Sequence, residues 1–547
     1  MAGCCAFAQH VIRGRWFSLF GSLIIFSSVG ATGLFPLYSN EIKKSGFSQT
    51  QLNSFSVVKD LGSNLGCLAI CLSLFLPQWC LVLMGSVMTS SGHIIIWFAV
   101  TGRTKPEVWL LYLSFLLLSN AAHFAKTGSF QISKTNFPDT YSLATQVLNL
   151  YSTLSPAILT QAYLPIYGSD STSVLLFLSW FPSLIFLSCM FTIRKIDTRV
   201  ILKNERNIWQ QLDNFSFALA LFLTGITITQ RLLNFSQTNY KTSTFVMLMI
   251  MCCTLGAVLF EDFKNWKMEE NSQEIIIDEY EENQKEEELP KNSVVDDVFK
   301  RPPNRGEEFG KLQGVWNFDF ILIMIFTGLG VGSCITGIDN LGQVGESYLY
   351  DIQSLTTFVS LVSVWGYCGR VFSTLFSESR PIILSMVMFL TSVGYLMIAY
   401  GFRGSVYAAS IVFGFSFGAQ SALTFDIIRD LFGKKNSTTL FNISRMTIPI
   451  SSYFLKRTVG AFYDAECLEM QETRMEFYKS GNVLTCQGKS CFAYSFKILG
   501  VTTIVGSVTA CVLVMTTWEF YRVDFHKNHK DGNQKGAETA SATNSNN

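Results

Sequence analysis

Charge is what this sequence has least of. Only 15% of its 547 residues are Asp, Glu, Lys or Arg, against 49% hydrophobic and 14% aromatic, too few to hydrate the surface of soluble domains. Lipid is the expected solvent. An excess of one sign is lacking too: 41 Lys and Arg face 40 Asp and Glu, which gives no basic field for nucleic acid and no acidic field for a cationic partner. Metal-binding cysteine pairs are missing. The 14 cysteines include no C-x-x-C pair at zinc-finger spacing, and Cys67, Cys71, Cys189, Cys252, Cys253, Cys334, Cys368 and Cys511 sit in apolar runs as small packing residues. Catalytic signatures are missing as well, with no H-E-x-x-H, no G-x-S-x-G and no P-loop. Gly488-Lys489-Ser490 has its nearest upstream glycine, Gly481, too far away. Gly328-x-Gly330-x-Gly332 lies inside an apolar run and reads as packing. No enzyme, cofactor or metal site is expected.

What the chain has instead is long apolar runs. A spanning helix needs roughly 20 mainly apolar residues, and fourteen segments qualify as candidates, giving an all-α polytopic membrane protein. Six lie at Trp16–Tyr38, Phe55–Leu76, Trp79–Thr101, Val108–Phe130, Leu143–Leu164 and Val174–Ile193. Two follow at Phe215–Phe235 and Thr244–Phe260. The last six are Phe318–Ile338, Leu355–Phe376, Ile382–Tyr400, Val406–Ile428, Thr439–Phe462 and Ala493–Trp518. The thirteenth is the least apolar, with Arg445, Pro449, Lys456 and Arg457.

Arg13 and Arg15, the Arg194–Arg206 cluster, and Lys434 with Lys435 fall on one side together with both termini. The positive-inside rule makes that side cytosolic, although Lys43, Lys44, Arg103 and Lys105 fall opposite. The host membrane is not encoded. Met1-Ala2-Gly3 lacks the glycine that myristoylation needs directly after Met, and the first apolar run is too long for a cleaved signal. Cys4 and Cys5 are either palmitoylation sites or an unmodified pair. Between Glu269 and Glu288 stand ten acidic residues and one Lys, a composition that cannot fold alone. The 263–315 segment reads as an acidic cytosolic linker, either a solvated connector or a docking site for a cytosolic partner. The 521–547 tail is expected to be disordered. This divides the chain into 1–195, a six-helix bundle; 196–262, a two-helix insert; the linker; 316–520, a second six-helix bundle; and the tail.

The halves repeat. Gly30-x-x-Gly33, a polar loop, Gly46-Phe47-Ser48-Gln49 and a run with Gly62 and Gly66 open the first. Gly328, Gly330 and Gly332, a polar loop, Tyr350-Asp351-Ile352-Gln353 and a run with Gly366 and Gly369 open the second. Small residues one turn apart let helices approach closely in lipid. Further stretches carry a family resemblance: Val58-Lys59-Asp60-Leu61-Gly62, Asn136-Phe137-Pro138, Ala157 to Tyr163, Ile338-Asp339-Asn340-Leu341-Gly342-Gln343, Phe358-Val359-Ser360 through Trp365 to Gly369-Arg370, Phe432-Gly433 with Lys435-Asn436, and Cys486-x-Gly488-x-x-Cys491-Phe492. Over roughly Arg15 to Tyr521 the chain resembles the plant nodulin-like, nuclear-fusion-defective-type branch of the major facilitator superfamily. It departs from that pattern at Tyr141-Ser142-Leu143, at Asn149-Leu150, and in the fourth run at His123 and Lys126. The resemblance implies a six plus two plus six helix plan and alternating access by parallel repeats, with an unidentified small solute between the halves near the bilayer midplane. Without an ATP motif such transport is secondary or facilitated. The other functional class left open is a non-transporting membrane receptor or scaffold acting through the linker and outer loops.

Charges inside apolar runs cost a few kcal/mol each on insertion scales, so each calls for a reason. Lys59 and Asp60 point about 100° apart on a helix and should serve different partners. They are either substrate or proton-coupling groups or members of interhelical pairs. His123 and Lys126 share a helix face, as a proton-linked anion site or as a packed imidazole beside a snorkelling lysine. Asp339 and Asn340 end the ninth run at the outer face, as a gate or as a helix end. Gly369 and Arg370 suggest a gate at the cytosolic end of the tenth, and Gly62, Gly66 and Gly366 suggest helix packing. His93 reads as packed. Cys486 and Cys491 are candidates for a disulfide outside the cytosol, with Cys467 as an alternative member.

Overall fold

The computed structural model describes residues 11–105, 107–168, 170–196, 205–233, 235–272, 303–376, 380–473 and 486–524. Every regular element among them is helical. The first half comprises α1 (Arg15–Phe26), a 3-10 turn (Val29–Leu34), α2 (Phe35–Lys44), α3 (Gln49–Asn64), α4 (Cys67–Leu72), α5 (Gln78–Val100), α6 (Val108–Asn136), α7 (Tyr141–Tyr167) and α8 (Ser171–Cys189). Next come α9 (Glu205–Leu232), α10 (Gln237–Ser272) and the short α11 (Lys311–Val315). The second half comprises α12 (Phe318–Phe326), a π turn (Thr327–Val331), α13 (Gly332–Asp339), α14 (Leu341–Ser347), α15 (Ile352–Thr374), α16 (Arg380–Tyr400), α17 (Ser405–Phe432), α18 (Ser437–Arg445), α19 (Thr447–Thr473) and α20 (Ser490–Glu519).

Each of the fourteen apolar runs has a helical counterpart, but eleven helices among the described residues are long and apolar enough to cross a membrane. The helices built on α7 and α19 fall short, because Asn149, Ser152, Ser155 and Gln161 dilute α7 and Arg457, Asp464 and Glu466 stud α19. Large apolar side chains such as Phe217, Leu221, Met386, Phe389, Val501 and Met515 face outward, which suits acyl chains and not water.

Short connections reverse the chain at each step, so the starts of α1, α5, α7, α12, α16 and α19 lie at one face, here the near face, and the loops at 45–48, 348–351 and 486–489 lie at the far face. The repeat is written into local structure. Ser48 caps α3 through a capping box with Gln51, and Asp351 caps α15 by accepting from Ser354 N at 3.1 Å. The first span of each half is broken at its glycines, where the fifth span presses in. Gly30 N donates to Ser155 Oγ at 2.7 Å, and a methyl on Gly30 would sit 2.6 Å from Pro156 Cδ. In the second half Ser451 Oγ donates to Gly328 O at 2.7 Å. Third and sixth spans are stitched by reciprocal serines: Ser86 with Ser183 (2.9 and 3.0 Å) and Ser385 with Ser507 (3.1 and 2.9 Å), each hydroxyl donating to the other's carbonyl. Such pairs satisfy hydroxyls that lipid cannot.

The halves meet along two seams, α3 against α19 and α7 against α15. Each pairs the second span of one half with the fifth of the other, as a two-fold axis along the membrane normal requires. The helices α9 and α10 lean on the α7–α15 seam. Gln161 and Gln230 exchange amide hydrogen bonds at 3.1 and 2.8 Å, and Ser216 Oγ lies 3.0 Å from Tyr367 Oη.

Part of the expected linker is ordered and docked, contrary to a wholly solvated connector. Helix α10 continues to Ser272, and residues 273–302 lie outside the described residues. From 303 the chain straps onto the second half: Glu308 accepts the backbone N–H groups of Lys434 and Lys435, both at 2.9 Å, Phe309 is buried, and Arg305 pairs with Asp319 at 2.7 Å. Cys486 and Cys491 form a disulfide, and Cys467 is a free, buried thiol. Cys4, Cys5 and the expected tail beyond residue 524 lie outside the described residues.

Candidate functional site

Between the halves lies a cavity of ≈ 300 Å³, lined from α3, α6 and α7 on one side and α13, α15 and α18 on the other. Lys59, Asp60, His123, Lys126, Asp339 and Arg370 all border it. A sequence in which these positions are up to 311 residues apart thus folds six candidate residues onto one chamber.

Toward the far face four buried charges close on each other. Lys59 Nζ donates to Asp339 Oδ1 at 2.5 Å and stands 3.6 Å from Asp60 Oδ1. Lys456 Nζ donates to Asp60 Oδ2 at 2.5 Å, to Asp339 Oδ2 at 2.6 Å and to Ser56 Oγ at 2.8 Å, while Ser56 Oγ donates to Asp339 Oδ2 at 2.7 Å. Two ammoniums and two carboxylates leave no net charge, the condition on which a buried cluster is tolerated. Lys59 and Asp60 do take different main partners, both from the second half. Lys456 was visible in the sequence only as a blemish on the thirteenth apolar run.

Asp339 is not at the outer face. The apolar run stops at Ile338, but the helical path continues through α14 to Ser347, which leaves Asp339 4% exposed in the interior. Above it a layer of inter-half contacts seals the far face. Asn40 Nδ2 donates to Gly342 O at 3.0 Å, Gln343 Nε2 to Ser39 Oγ at 2.6 Å, and Gln49 Nε2 to Asn340 Oδ1 at 3.3 Å. Asp464 of α19 accepts the first backbone N–H groups of α3, from Gln49 at 3.1 Å and Thr50 at 3.0 Å, and so caps a helix of the opposite half. Asn340 belongs to this layer.

Toward the near face the chamber carries Lys126, Arg370 and Arg445. The Lys126 ammonium lies 5.9 Å from the Phe26 ring centroid, Arg370 Nε is buried without a hydrogen-bond partner, and Arg445 Nε donates to Asn64 Oδ1 at 3.0 Å. Among the described residues none of the three has a carboxylate within 4.0 Å. His123 shares the face of Lys126 as expected, but its Nε2 is committed to Ser63 O at 2.5 Å. His93 is buried and bonds Thr89 O at 2.8 Å, a packed histidine.

The glycines divide differently from expectation. Gly62 meets Ser119 and the Leu116 carbonyl of α6, Gly66 meets the His123 ring, and Gly366 faces Thr153 across the α7–α15 seam. Gly369 was expected to gate with Arg370, but its Cα is wedged against α17, where a side chain would run into Phe415 O. It is a packing residue, and Arg370 alone reaches the chamber.

Comparison with known proteins agrees with this architecture. The family model described as Nodulin-like matches residues 15–259, and that described as NFD4, C-terminal domain, matches residues 307–523. The chain is 24% identical over 536 residues, 93% of its length and 89% of the relative's, to Protein NUCLEAR FUSION DEFECTIVE 4 of Arabidopsis thaliana. It is 25% identical over 217 residues, 37% of its length and 41% of the relative's, to Probable transporter MCH1 of Yarrowia lipolytica. A POT family transporter solved in complex with a thioalcohol conjugated peptide superposes with a TM-score of 0.53 at 12% identity, covering 92% of this chain and 96% of that one. Family models matching both halves, seams that pair the second span of each half with the fifth of the other, and a chamber lined from both halves place the chain in the nodulin-like, nuclear-fusion-defective-type family, with a major-facilitator fold.

Proposed function

We propose that the chain is a secondary or facilitated transporter that moves a small solute through the bilayer by alternating access. The observation that carries this reading is the chamber itself. It is lined by both repeated halves, and the layer above it is built of contacts from one half to the other, so a rocking motion of the halves opens that layer. The printed descriptions of MCH1 as a probable transporter and of the peptide-bound POT protein as a transporter are consistent with it. In this reading 1–195 and 316–520 are the moving bundles, 196–262 is an insert and 263–315 a linker. The near face, which carries Arg13, Arg15, Lys434 and Lys435, is cytosolic.

The test is a solute panel on the purified full-length protein in detergent, spanning amino acids, sugars, carboxylates, phosphates, polyamines and metal ions, with uptake by reconstituted vesicles as the second readout. A ligand that binds only the folded state stabilises it by about 2.7 kcal/mol at a hundred times its dissociation constant, well within reach of a thermal melt. At least one solute class should raise the melting temperature saturably and enter vesicles. Silence of every class in both assays sinks the proposal.

A further inference from the structure

The charges around the chamber do not balance, and the imbalance has a location. Of the groups bordering it, Lys59, Asp60 and Asp339 are consumed, together with Lys456, in the neutral cluster at the far-face end. What remains is Lys126, Arg370 and Arg445, three basic side chains and, among the described residues, no further acid. They come from both halves, Lys126 on α6 and the arginines on α15 and α18. Asp426 of α17 makes no ion pair with Arg370 within 4.0 Å and is engaged by Arg429 at 3.0 Å and Arg380 at 3.8 Å. Like charges brought together in a low-dielectric interior with no carboxylate within 4.0 Å among the described residues are unfavourable, so these three groups suit an anionic partner.

We propose that the transported solute is a small organic carboxylate, held by its charged group on Lys126, Arg370 and Arg445. This rests on the transporter reading above. Planar guanidiniums suit the two oxygens of a carboxylate. The rest of the wall mixes apolar side chains, among them Val29, Ile335, Val359 and Phe417, with hydroxyls and amides such as Asn149 and Thr153, and so offers a carbon skeleton and its hydroxyls contacts that an inorganic anion cannot use. The ≈ 300 Å³ volume sits at the small end of ligand pockets. Cations are repelled, and neutral solutes leave the three positive groups uncompensated. The placement also links binding to movement. With the chamber empty, Lys126 repels Arg370 and Arg445 across the interface and resists closure of the near-face end. A bound carboxylate turns that repulsion into a bridge between the halves, so the loaded protein closes more readily than the empty one.

Malate and lactate are the probes, with glucose, putrescine and inorganic phosphate as comparators, in thermal melts and vesicle uptake with the full-length protein. Malate or lactate should stabilise saturably and be taken up. Arg370→Gln and Arg445→Gln should each weaken apparent affinity by roughly tenfold or more, as loss of a charge-assisted hydrogen bond predicts, and Arg370→Lys should retain part of the binding. Melting of ligand-free Arg370→Gln should be unchanged or higher, because an uncompensated charge is removed. Arg370→Gln that melts lower without ligand yet keeps the full malate or lactate shift makes the residue structural and overturns the proposal. Stabilisation by phosphate with neither carboxylate active overturns the organic part. Glucose or putrescine acting in place of the carboxylates, and indifferent to Arg370→Gln, overturns the anion while leaving transport standing. Silence of all five probes overturns the carboxylate assignment, and the transporter reading itself falls only if the wider panel is silent as well.

Discussion

Replacing Asp339 by Asn removes the carboxylate that both buried ammoniums of the far-face cluster share. In the native protein Lys59 and Lys456 contact it at 2.5 and 2.6 Å, and Asp60 balances the second charge at 2.5 Å from Lys456 and 3.6 Å from Lys59. With Asn at 339 two ammoniums are left around one carboxylate, Lys456 fully buried and Lys59 5% exposed. Removing one partner of a buried pair is expected to destabilise by about 3–5 kcal/mol. The amide also keeps volume and hydrogen-bonding capacity, so little of that loss comes from packing. Lys59→Met in the Asp339→Asn background restores neutrality, with Lys456 and Asp60 still paired, and should recover more than half of the loss. The assay is equilibrium unfolding in mixed micelles of the single and double variants, closed into a cycle with Lys59→Met alone. An Asp339→Asn protein within about 0.5 kcal/mol of the parent, the range of an ordinary surface substitution, refutes the view that these four charges stand or fall together.

Other expectations follow from neighbouring features. Joining Ser39→Cys to Gln343→Cys with a short bifunctional thiol reagent fixes a contact now 2.6 Å long between the halves. It should stop uptake until the bridge is cut, and uptake that continues through an intact bridge argues against rocking at the far face. Gly369→Val pushes α15 off α17 and should lower stability by about 1–3 kcal/mol without changing the affinity of any solute that does bind; an altered affinity at unchanged stability returns the residue to a gating role. Reducing Cys486–Cys491 opens a small loop only, so the melt should fall by no more than about 2 kcal/mol equivalent; outright unfolding on reduction contradicts that.

Which segments form long helices was legible because lipid imposes length, although polar turns carry several helices past the apolar runs, as from Phe130 to Asn136 and from Phe462 to Thr473. The apolar runs opening at Val108, Phe318 and Val406 begin within a residue of the helices that form, at Val108, Phe318 and Ser405. The repeat was legible as well, since the matched tetrads Gly46–Gln49 and Tyr350–Gln353 each turn out to hold the cap of the following helix, Ser48 and Asp351. What hydropathy misplaced were the charges. It ended a helix at Asp339 because a carboxylate looks like a boundary, although its neutralising partners Lys59 and Lys456 lie 280 and 117 residues away. It marked the run with Arg445 and Lys456 as doubtful for the same reason. Pairing across such separations is a property of the packed halves and leaves no local signature, whereas the cost of a lone charge in lipid does. The informative residues were therefore the ones that spoiled the apolar pattern.

The two added helices have a mechanical meaning. Helix α9 is bonded to the first half through Gln161 and to the second through Tyr367 and through Gln353, whose amide donates to Gln230 O at 2.8 Å. No comparable pair leans on the α3–α19 seam among the described residues. One side of the molecule is thus bracketed and the other is free, like a door hung along one jamb. In the alternating-access cycle proposed above, the two seams would not share the swing equally: α7, α15 and α9 would form the hinge post, and α3 and α19, with the four charges between them, the latch edge that travels.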